Sequence, residues 1–274
     1  MGNILEVLNL QISQAITGKV IVPDLSFGLK QGGCLAIVGE SGSGKSLTCK
    51  AIMRLNKSDI RHKGEILFQG KNLLFLSEKE MRKKRGKQLN MILQNGMRAF
   101  DPSCTIGVHL RETLFEHFDW NRKMVVDKMH NAMQSVMLKE PHKVMSKYPH
   151  QLSGGMLQRV MIALSIALEP EIIIADEPTT ALDTVSKNEV IQQFIRLRER
   201  MACSMIFVSH DLDAVKEIAD DVLIMKDGIV LEKGSVQSVF SEPQHEYTRY
   251  LLSAKLGINQ HFRKIIGGVS NAKG

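Results

Sequence analysis

The sequence has few cysteines and no long apolar run. Its four cysteines, Cys34, Cys49, Cys104 and Cys203, form no CxxC pair and no metal-ligand spacing with the nine histidines. This excludes a disulfide framework or a cysteine zinc site, and reduced, buried thiols in a cytosolic protein are the simplest account. The longest apolar helical run, Val160 to Leu168, is well below the roughly 18 residues that a membrane span needs. Any role at a membrane must therefore come from a partner.

The composition lacks an excess of charge that would keep the chain unfolded. Hydrophobic residues make up 43% and charged residues 24% of the 274 positions, which excludes disorder along the whole chain. This length allows one large α/β domain or a domain with an inserted lobe. The net charge is +7, and the basic residues are spread out apart from a cluster between Arg82 and Lys87. We interpret that cluster as a solvated helix end rather than a phospholipid or nucleic-acid patch.

A phosphate-binding motif occupies Gly39 to Ser46, where GESGSGKS fits the pattern of Gly, any four residues, Gly, Lys, then Ser or Thr. The apolar run Cys34 to Val38 predicts a buried strand before it, and Leu47 to Leu55 predicts a helix after it. A strand, a glycine-rich turn and a helix N-terminus direct backbone N–H groups at an anion. In this geometry Lys45 can reach the β- and γ-phosphates, and the Ser46 hydroxyl can ligate Mg²⁺.

Acidic residues follow a second buried strand. The apolar run Ile172 to Ala175 ends in Asp176 and Glu177, and carboxylates at this end of a central parallel strand lie beside the phosphate loop. Asp176 can hold Mg²⁺ through water and Glu177 can polarise an attacking water, although adjacent acids at a strand end can also be merely solvated. The next apolar strand, Ser204 to Val208, is followed by His210 at the same edge of the predicted sheet.

A second helix start of the phosphate-binding type lies in the stretch QLSGGMLQR, from Gln151 to Arg159. Ser153 is predicted to cap the helix, and Gly154 and Gly155 permit close backbone approach. Before it, from Ile106 to Tyr148, apolar residues recur at helical spacing, including Met129 and Met133. We therefore predict an inserted all-helical lobe, with the methionine stripe in its core.

The rest of the chain before the lobe is predicted to be mostly strand. Ile4 to Ile12 and Val20 to Leu29 are rich in Ile, Leu and Val, and predict an antiparallel piece before the phosphate loop. Glu65 to Gln69 and Gln88 to Leu93 predict short strands around a polar helix. Ser77 with Glu80 predicts a capping box at the start of that helix.

These motifs, in this order, closely resemble the ATP-binding subunits of ABC transporters over roughly Leu5 to Ala254. The resemblance implies a P-loop NTPase of the α/β class, with a RecA-like mixed sheet, an antiparallel β subdomain and an inserted all-helical subdomain. It divides the single ATPase domain, 1–274, into a catalytic core of 1–94 and 160–242, a helical signature subdomain of 95–159, and a C-terminal extension of 243–274.

By this resemblance the chain is an ATP hydrolase that uses ATP and Mg²⁺. The residues expected to contact ATP within the chain are Gly39, Glu40, Ser41, Gly42, Ser43, Gly44, Lys45, Ser46 and Leu47. The expected Mg²⁺ ligands are Ser46, Gln94 and Asp176, and the expected catalytic residues are Glu177, His210 and Gln94. Ser153, Gly154 and Gly155 would face the ATP of the opposite subunit, with Asp183 in the adjacent D-loop. In this family an aromatic side chain near the first turn often stacks on adenine, but Gln14 to Lys19 offers none.

Further similarities indicate the branch of the family. Met156 in place of the usual signature glutamine, Ala99 to Pro102, and the pattern from Pro243 to Leu252 resemble the peptide and nickel importers. Peptide-importing members often carry a cysteine-rich tail, but no cysteine lies past Cys203. The resemblance therefore favours import of nickel or a metal chelate, with oligopeptide or dipeptide import as the alternative.

The resemblance also implies partners. We expect a second ABC ATPase subunit, either identical or related, two transmembrane permease subunits, an extracytoplasmic substrate-binding protein and no nucleic acid. The chain would lie peripherally on the cytoplasmic face of the cell membrane. A soluble ABC ATPase acting on DNA or ribosomes is less favoured, because the chain has one cassette and no heptad array. A regulatory module that does not turn over ATP is disfavoured by the presence of both Glu177 and His210.

Overall fold

The computed structural model describes residues 2–94, 96–180 and 182–253. Its strands are β1 Asn3–Gln14, β2 Val20–Val22, β3 Phe27–Lys30, β4 Cys34–Val38, β5 Ile60–Phe68, β6 Lys71–Asn72, β7 Leu89–Ile92, β8 Ile172–Asp176, β9 Ser204–Val208, β10 Asp221–Lys226 and β11 Ile229–Ser235. Its α-helices are α1 Lys45–Ile52, α2 Glu78–Lys84, α3 Ile106–His117, α4 Arg122–Ser135, α5 Pro141–Ser146, α6 Gly154–Leu168, α7 Thr184–Met201, α8 Leu212–Ile218 and α9 Val236–Ser241.

The central sheet has the strand order β11-β10-β4-β9-β8-β7. All neighbouring pairs are parallel except β10 with β11. Every residue of β4, β8 and β9 is buried, as expected for parallel strands covered on both faces. Because the carboxyl ends of β4, β8 and β9 lie along one edge, the segments that follow them converge there.

A second, antiparallel sheet precedes and follows the phosphate loop, in the order β2-β1-β5-β6, with β3 also paired to β1. The predicted antiparallel piece is present, and the stretch from Val20 to Leu29 contains two short strands, β2 and β3. Pro23 follows β2 directly and has no backbone N–H to donate to a ladder, which explains the interruption. The predicted strand at Glu65 begins earlier, at Ile60.

The predicted helical lobe lies between β7 and β8 and contains α3, α4, α5 and the start of α6. Met129, Met133 and Val136 are fully buried, so the methionine stripe belongs to the core as predicted. Helix α6 continues through position 159 into the parallel-sheet part without a break. The division of the chain into subdomains stays a prediction, and residues 95 and 254–274 lie outside the described ranges.

The structure also bears on the predictions about the cysteines, the start of α2 and membrane-spanning helices. Cys34, Cys49 and Cys203 are buried free thiols, whereas Cys104 is half-buried. The capping box of Ser77 and Glu80 starts α2 as predicted. Within the ranges that the structure describes, no helix is both long enough and apolar enough to cross a membrane.

The basic cluster predicted at a helix end lies in the last turn of α2 and just beyond it. Arg82 pairs with Glu116 at 3.0 Å, and Arg85 pairs with Glu78 at 2.5 Å. The Lys87 ammonium lies 5.5 Å from the centre of the Phe118 ring. Much of the cluster's charge is therefore engaged by groups of the chain itself.

Candidate nucleotide site

The backbone of the phosphate loop, residues 39–44, requires glycine at specific positions. A Cβ atom on Gly39 would lie 2.1 Å from the carbonyl oxygen of Met225. Gly44 has a φ of +97° and faces a Val22 methyl group at 2.8 Å from its ideal Cβ position. A side chain at either position would displace the loop, because β2 and β10 pack directly against it.

Lys45, the first residue of α1, is directed back into the phosphate loop. Its Nζ donates hydrogen bonds to the carbonyl oxygens of Gly39 at 2.8 Å and Glu40 at 2.7 Å. The side chain is only 4% exposed, and Nζ lies 3.8 Å from Oε1 of Glu177. Burial lowers the pKa of Lys45, while the nearby charges of Glu177 and Asp176 oppose that shift. The Lys45 side chain is therefore held within the phosphate loop and close to Glu177.

Ser46 and Asp176 join the phosphate loop to the end of β8. The Ser46 hydroxyl donates to Oδ1 of Asp176 at 2.8 Å. Burial is the main cause that raises the pKa of Asp176; the Ser46 hydrogen bond lowers it and the charge of Glu177 raises it. A hydroxyl and a buried carboxylate in contact are hard oxygen donors of the kind that Mg²⁺ binds. The donor set therefore fits the predicted metal.

Glu177 occupies the centre of a polar cluster. Its Oε2 accepts hydrogen bonds from Gln94 Nε2 at 3.2 Å and Thr180 Oγ1 at 3.0 Å, and lies 3.6 Å from Nδ1 of His210. The residue has a φ of +48°, and its N–H donates to the carbonyl oxygen of Val208 at 3.0 Å. This left-handed backbone, uncommon for a residue other than glycine, directs the carboxylate towards Lys45, Gln94 and His210.

The structure thus brings together the predicted residues from four separate segments of the chain. Lys45 and Ser46 begin α1 directly after the phosphate loop, Gln94 follows β7, Asp176 ends β8 and is followed by Glu177, and His210 follows β9. The His210 side chain is 61% exposed, so it is accessible to a bound group. The positions match the sequence prediction, and the chemical roles stay predictions.

The predicted signature residues lie elsewhere. Ser153 caps α6 by accepting the N–H of Met156 at 3.3 Å, and an ideal Cβ on Gly155 would lie 3.4 Å from Oγ of Ser186 in α7. Asp183 caps α7 and accepts the hydroxyl of Ser186 at 2.7 Å. Among the described residues, Ser153, Gly154 and Gly155 make no hydrogen bond to the phosphate loop. They therefore form a separate surface beside the start of α7.

Two residues near the site, Thr180 and Tyr247, were not predicted from the sequence. Thr180 donates to Glu177, and its spacing of three residues after an acid is a local signal that could have revealed it. Tyr247 is 7% exposed, and the Lys226 ammonium lies 4.8 Å from its ring centre. Burial, followed by the negative charge of Glu40 in the phosphate loop, raises the pKa of Tyr247. No local pattern could have placed a residue so distant in sequence beside Glu40.

The strand, glycine-rich loop and helix, with acids at the end of a neighbouring parallel strand, define a P-loop nucleoside triphosphatase. A helical lobe with a separate glycine-containing helix start gives it the arrangement of an ATP-binding cassette. The ABC transporter family model matches residues 22–180, and the chain belongs to that family. It is therefore an ATP-binding ATPase, and the predicted fold and family are confirmed.

Curated relatives and solved structures agree with this assignment. The chain is 46% identical to the ATP-binding protein CntD of the metal-staphylopine import system of Staphylococcus aureus, over 97% of this chain and 98% of that protein. It is 40% identical to the oligopeptide transport ATP-binding protein OppD of Bacillus subtilis, over 92% of this chain and 71% of that protein. A dimeric ATP-binding cassette solved in a post-hydrolysis state with ADP and Pi superimposes with a TM-score of 0.75 at 25% identity, covering 85% of this chain and 98% of that one.

Proposed function

We propose that the chain is the ATP-hydrolysing subunit of an importer for nickel or a metal chelate. The observation that carries this proposal is the 46% identity to a metal-staphylopine import ATPase over nearly the whole of both chains. Import of oligopeptides or dipeptides is the second candidate. It is favoured by the 40% identity to an oligopeptide transport ATPase, of which the chain covers 71%.

The chemistry within one chain follows from the site. Lys45 and the backbone amides of the phosphate loop bind the phosphates of ATP. Ser46, Asp176 and Gln94 would hold Mg²⁺, which when bound neutralises charge on the phosphate oxygens. Glu177 accepts a proton from the attacking water, and His210 donates a hydrogen bond to the γ-phosphate.

The separation of the two predicted phosphate-contacting surfaces supports a dimer. Ser153 to Gly155 lie beside α7 and not at this chain's own phosphate loop, so they are available to a second subunit. In a head-to-tail pair, each ATP lies between the phosphate loop of one subunit and the signature residues of the other. ATP then favours the closed pair and hydrolysis releases it, because closure depends on the γ-phosphate.

A test of this shared site uses Gly155→Ala. Within the chain the new methyl group would make ordinary contacts, with Ser186 Oγ at 3.4 Å and Ser186 Cβ at 3.5 Å. We therefore expect an unchanged melting temperature and unchanged ATP binding by the single chain. Turnover should fall roughly 100-fold, because the methyl group would displace the partner's nucleotide from its reactive position. Phosphate release and fluorescent ATP binding measure the two effects separately.

The matched control for this test is Gly39→Ala, whose methyl group would meet the Met225 carbonyl oxygen within the same chain. That variant should lose ATP binding as well as turnover. If Gly155→Ala hydrolyses ATP at the wild-type rate, the signature residues do not contact a partner's ATP. That result would refute the proposal that two subunits share each ATP site.

The permease is proposed to dock in a cleft of about 500 Å³ between the parallel-sheet part and the helical lobe. The residues that line its apolar floor include Met53, Leu89, Phe100, Met161 and Leu168. Its polar rim contains Arg82 with its ion-pair partner Glu116, together with Arg85, His109 and His117. A short permease helix with an apolar face and polar ends fits this lining. Leu93 also lines the cleft. The next residue, Gln94, donates the hydrogen bond to Glu177, so a helix docked in the cleft would lie close to that hydrogen bond.

The assembled importer would include a second ABC ATPase subunit, two permease subunits and an extracytoplasmic substrate-binding protein that delivers the cargo. The chain would lie on the cytoplasmic face of the cell membrane, held there by the permease. Deletion of its gene should lower accumulation of nickel or of a metal chelate and leave dipeptide uptake unchanged. Loss of dipeptide uptake with normal metal accumulation would instead establish the second candidate.

A further inference from the structure

Two ion pairs that no motif predicted join the N-terminal part of helix α7 to neighbouring segments. Glu189 of α7 pairs with Arg159 of the signature helix α6. Lys187, half a turn earlier, pairs with Asp211, the residue after His210. The side chains of Arg159 and Asp211 are 15% and 9% exposed, whereas their partners Glu189 and Lys187 are 42% and 31% exposed. Each pair therefore joins a largely buried group to a partly exposed one.

The segment around His210 is held mainly through its neighbours. Asp211 caps α8 by accepting the N–H of Asp213 at 3.1 Å, and its own N–H donates to Ser209 Oγ at 3.0 Å. The N–H of Ser209 donates to the carbonyl oxygen of Ile37 at 3.2 Å. The His210 ring itself is mostly exposed. Its position beside Glu177 therefore depends on where the backbone of 209–211 is held, and Lys187 holds that backbone from the side.

The other face of the first turns of α7 contacts the signature. The closest atom to an ideal Cβ on Gly155 is Ser186 Oγ, at 3.4 Å. The backbone N–H and the hydroxyl of Ser186 donate hydrogen bonds to the carboxylate of Asp183, which caps α7. Further along the helix, Phe194 packs edge to face on Phe207 of β9, with ring centres 5.8 Å apart. Since β9 leads directly to His210, α7 lies as a rigid element between the signature and the histidine.

We propose that Lys187 is a positioning residue for His210 and that α7 couples the signature helix to this histidine. The inference rests on the proposed function, in which the signature contacts the partner's ATP and His210 acts on this chain's own ATP. A shift of α6 on contact with the partner's ATP moves α7 through the Arg159 and Glu189 pair. The Lys187 and Asp211 pair transmits that shift to His210, so hydrolysis at one site depends on occupancy of the other.

The test compares Lys187→Met with Lys187→Arg in the full chain with its partner subunit. Methionine keeps much of the length and loses the charge, whereas arginine can still pair with Asp211. The matched control is Arg196→Met, which removes a positive charge from an exposed position of the same helix. We expect Lys187→Met to lower kcat about 10-fold, to leave KM for ATP within about 2-fold, and to bring the Hill coefficient from above 1 to about 1. Lys187→Arg should restore kcat and the Hill coefficient.

Two outcomes would overturn the inference. One is a Lys187→Met enzyme with the kcat and Hill coefficient of Arg196→Met. The other is a fall in kcat that is accompanied by a matching rise in KM and is not restored by arginine, since that result indicates general destabilisation. A failure of the proposed function would give different results. The wild-type assembly would then show no ATP hydrolysis, or Gly155→Ala would keep full turnover.

Discussion

Glu177→Gln should lower ATP turnover by about 100- to 10,000-fold and leave ATP binding intact. The carboxylate lies among the groups expected to surround the γ-phosphate, with Lys45 at 3.8 Å and His210 at 3.6 Å. Glutamine has nearly the same shape, and its oxygen can still accept the hydrogen bonds that Gln94 and Thr180 donate to Oε2. An amide cannot accept the proton of an attacking water, so only the chemical step should fail.

Phosphate release measures turnover in this variant, and a fluorescent ATP analogue measures binding. Glu199→Gln is the matched control, because it neutralises an exposed carboxylate on α7. That control should hydrolyse ATP at the wild-type rate. Turnover in Glu177→Gln comparable to that of the control would refute the catalytic role of Glu177.

Lys45→Ala should abolish measurable ATP binding. We expect the Kd for ATP to rise at least about 100-fold, which corresponds to about 2.7 kcal/mol. The buried ammonium is the positive charge at the centre of the loop, and its removal leaves the Gly39 and Glu40 carbonyl oxygens without their donor. Those carbonyl dipoles would then face the phosphates without compensation.

Titration with the fluorescent analogue measures this loss, and thermal melting shows whether the variant is folded. Lys57→Ala, which removes an exposed lysine beyond α1, is the control and should bind ATP normally. An unchanged Kd in a folded Lys45→Ala protein would mean that the phosphate loop is not the nucleotide site.

The sequence predicted that the candidate catalytic side chains lie close together, because their placement follows from local rules. The phosphate loop is one contiguous motif whose glycines fix its own path. Asp176, Glu177 and His210 each follow an apolar strand, and parallel strands bring their carboxyl ends to one edge. The strands and their order are therefore sufficient to place these side chains together.

Other features could not be predicted because they depend on contacts between distant segments. The start of β5, residues 60–64, is mostly polar and gives no apolar alternation, yet backbone pairing with the end of β1 makes it a strand. The electrostatic effect of Glu40 on Tyr247 and the pair of Lys187 with Asp211 link positions far apart along the chain. Neither pair has a spacing or a pattern that identifies it before the fold is known.

The phosphate loop and the predicted signature residues lie on different parts of the chain. The loop, Asp176, Glu177 and His210 form one cluster, and the predicted signature residues lie on a different surface of the same chain. Under the proposed function, a complete ATP site needs a second subunit. In that proposal, nucleotide hydrolysis is linked to the opening and closing of a pair of subunits, and this movement drives the permease.

The most direct test of the account is metal accumulation in cells whose native gene carries Glu177→Gln. The variant protein should be present at the wild-type level. We predict that uptake of nickel or of a metal chelate falls to the level of the deletion strain, while dipeptide uptake stays normal. Normal metal accumulation in that strain would contradict the claim that ATP hydrolysis by this chain drives metal import.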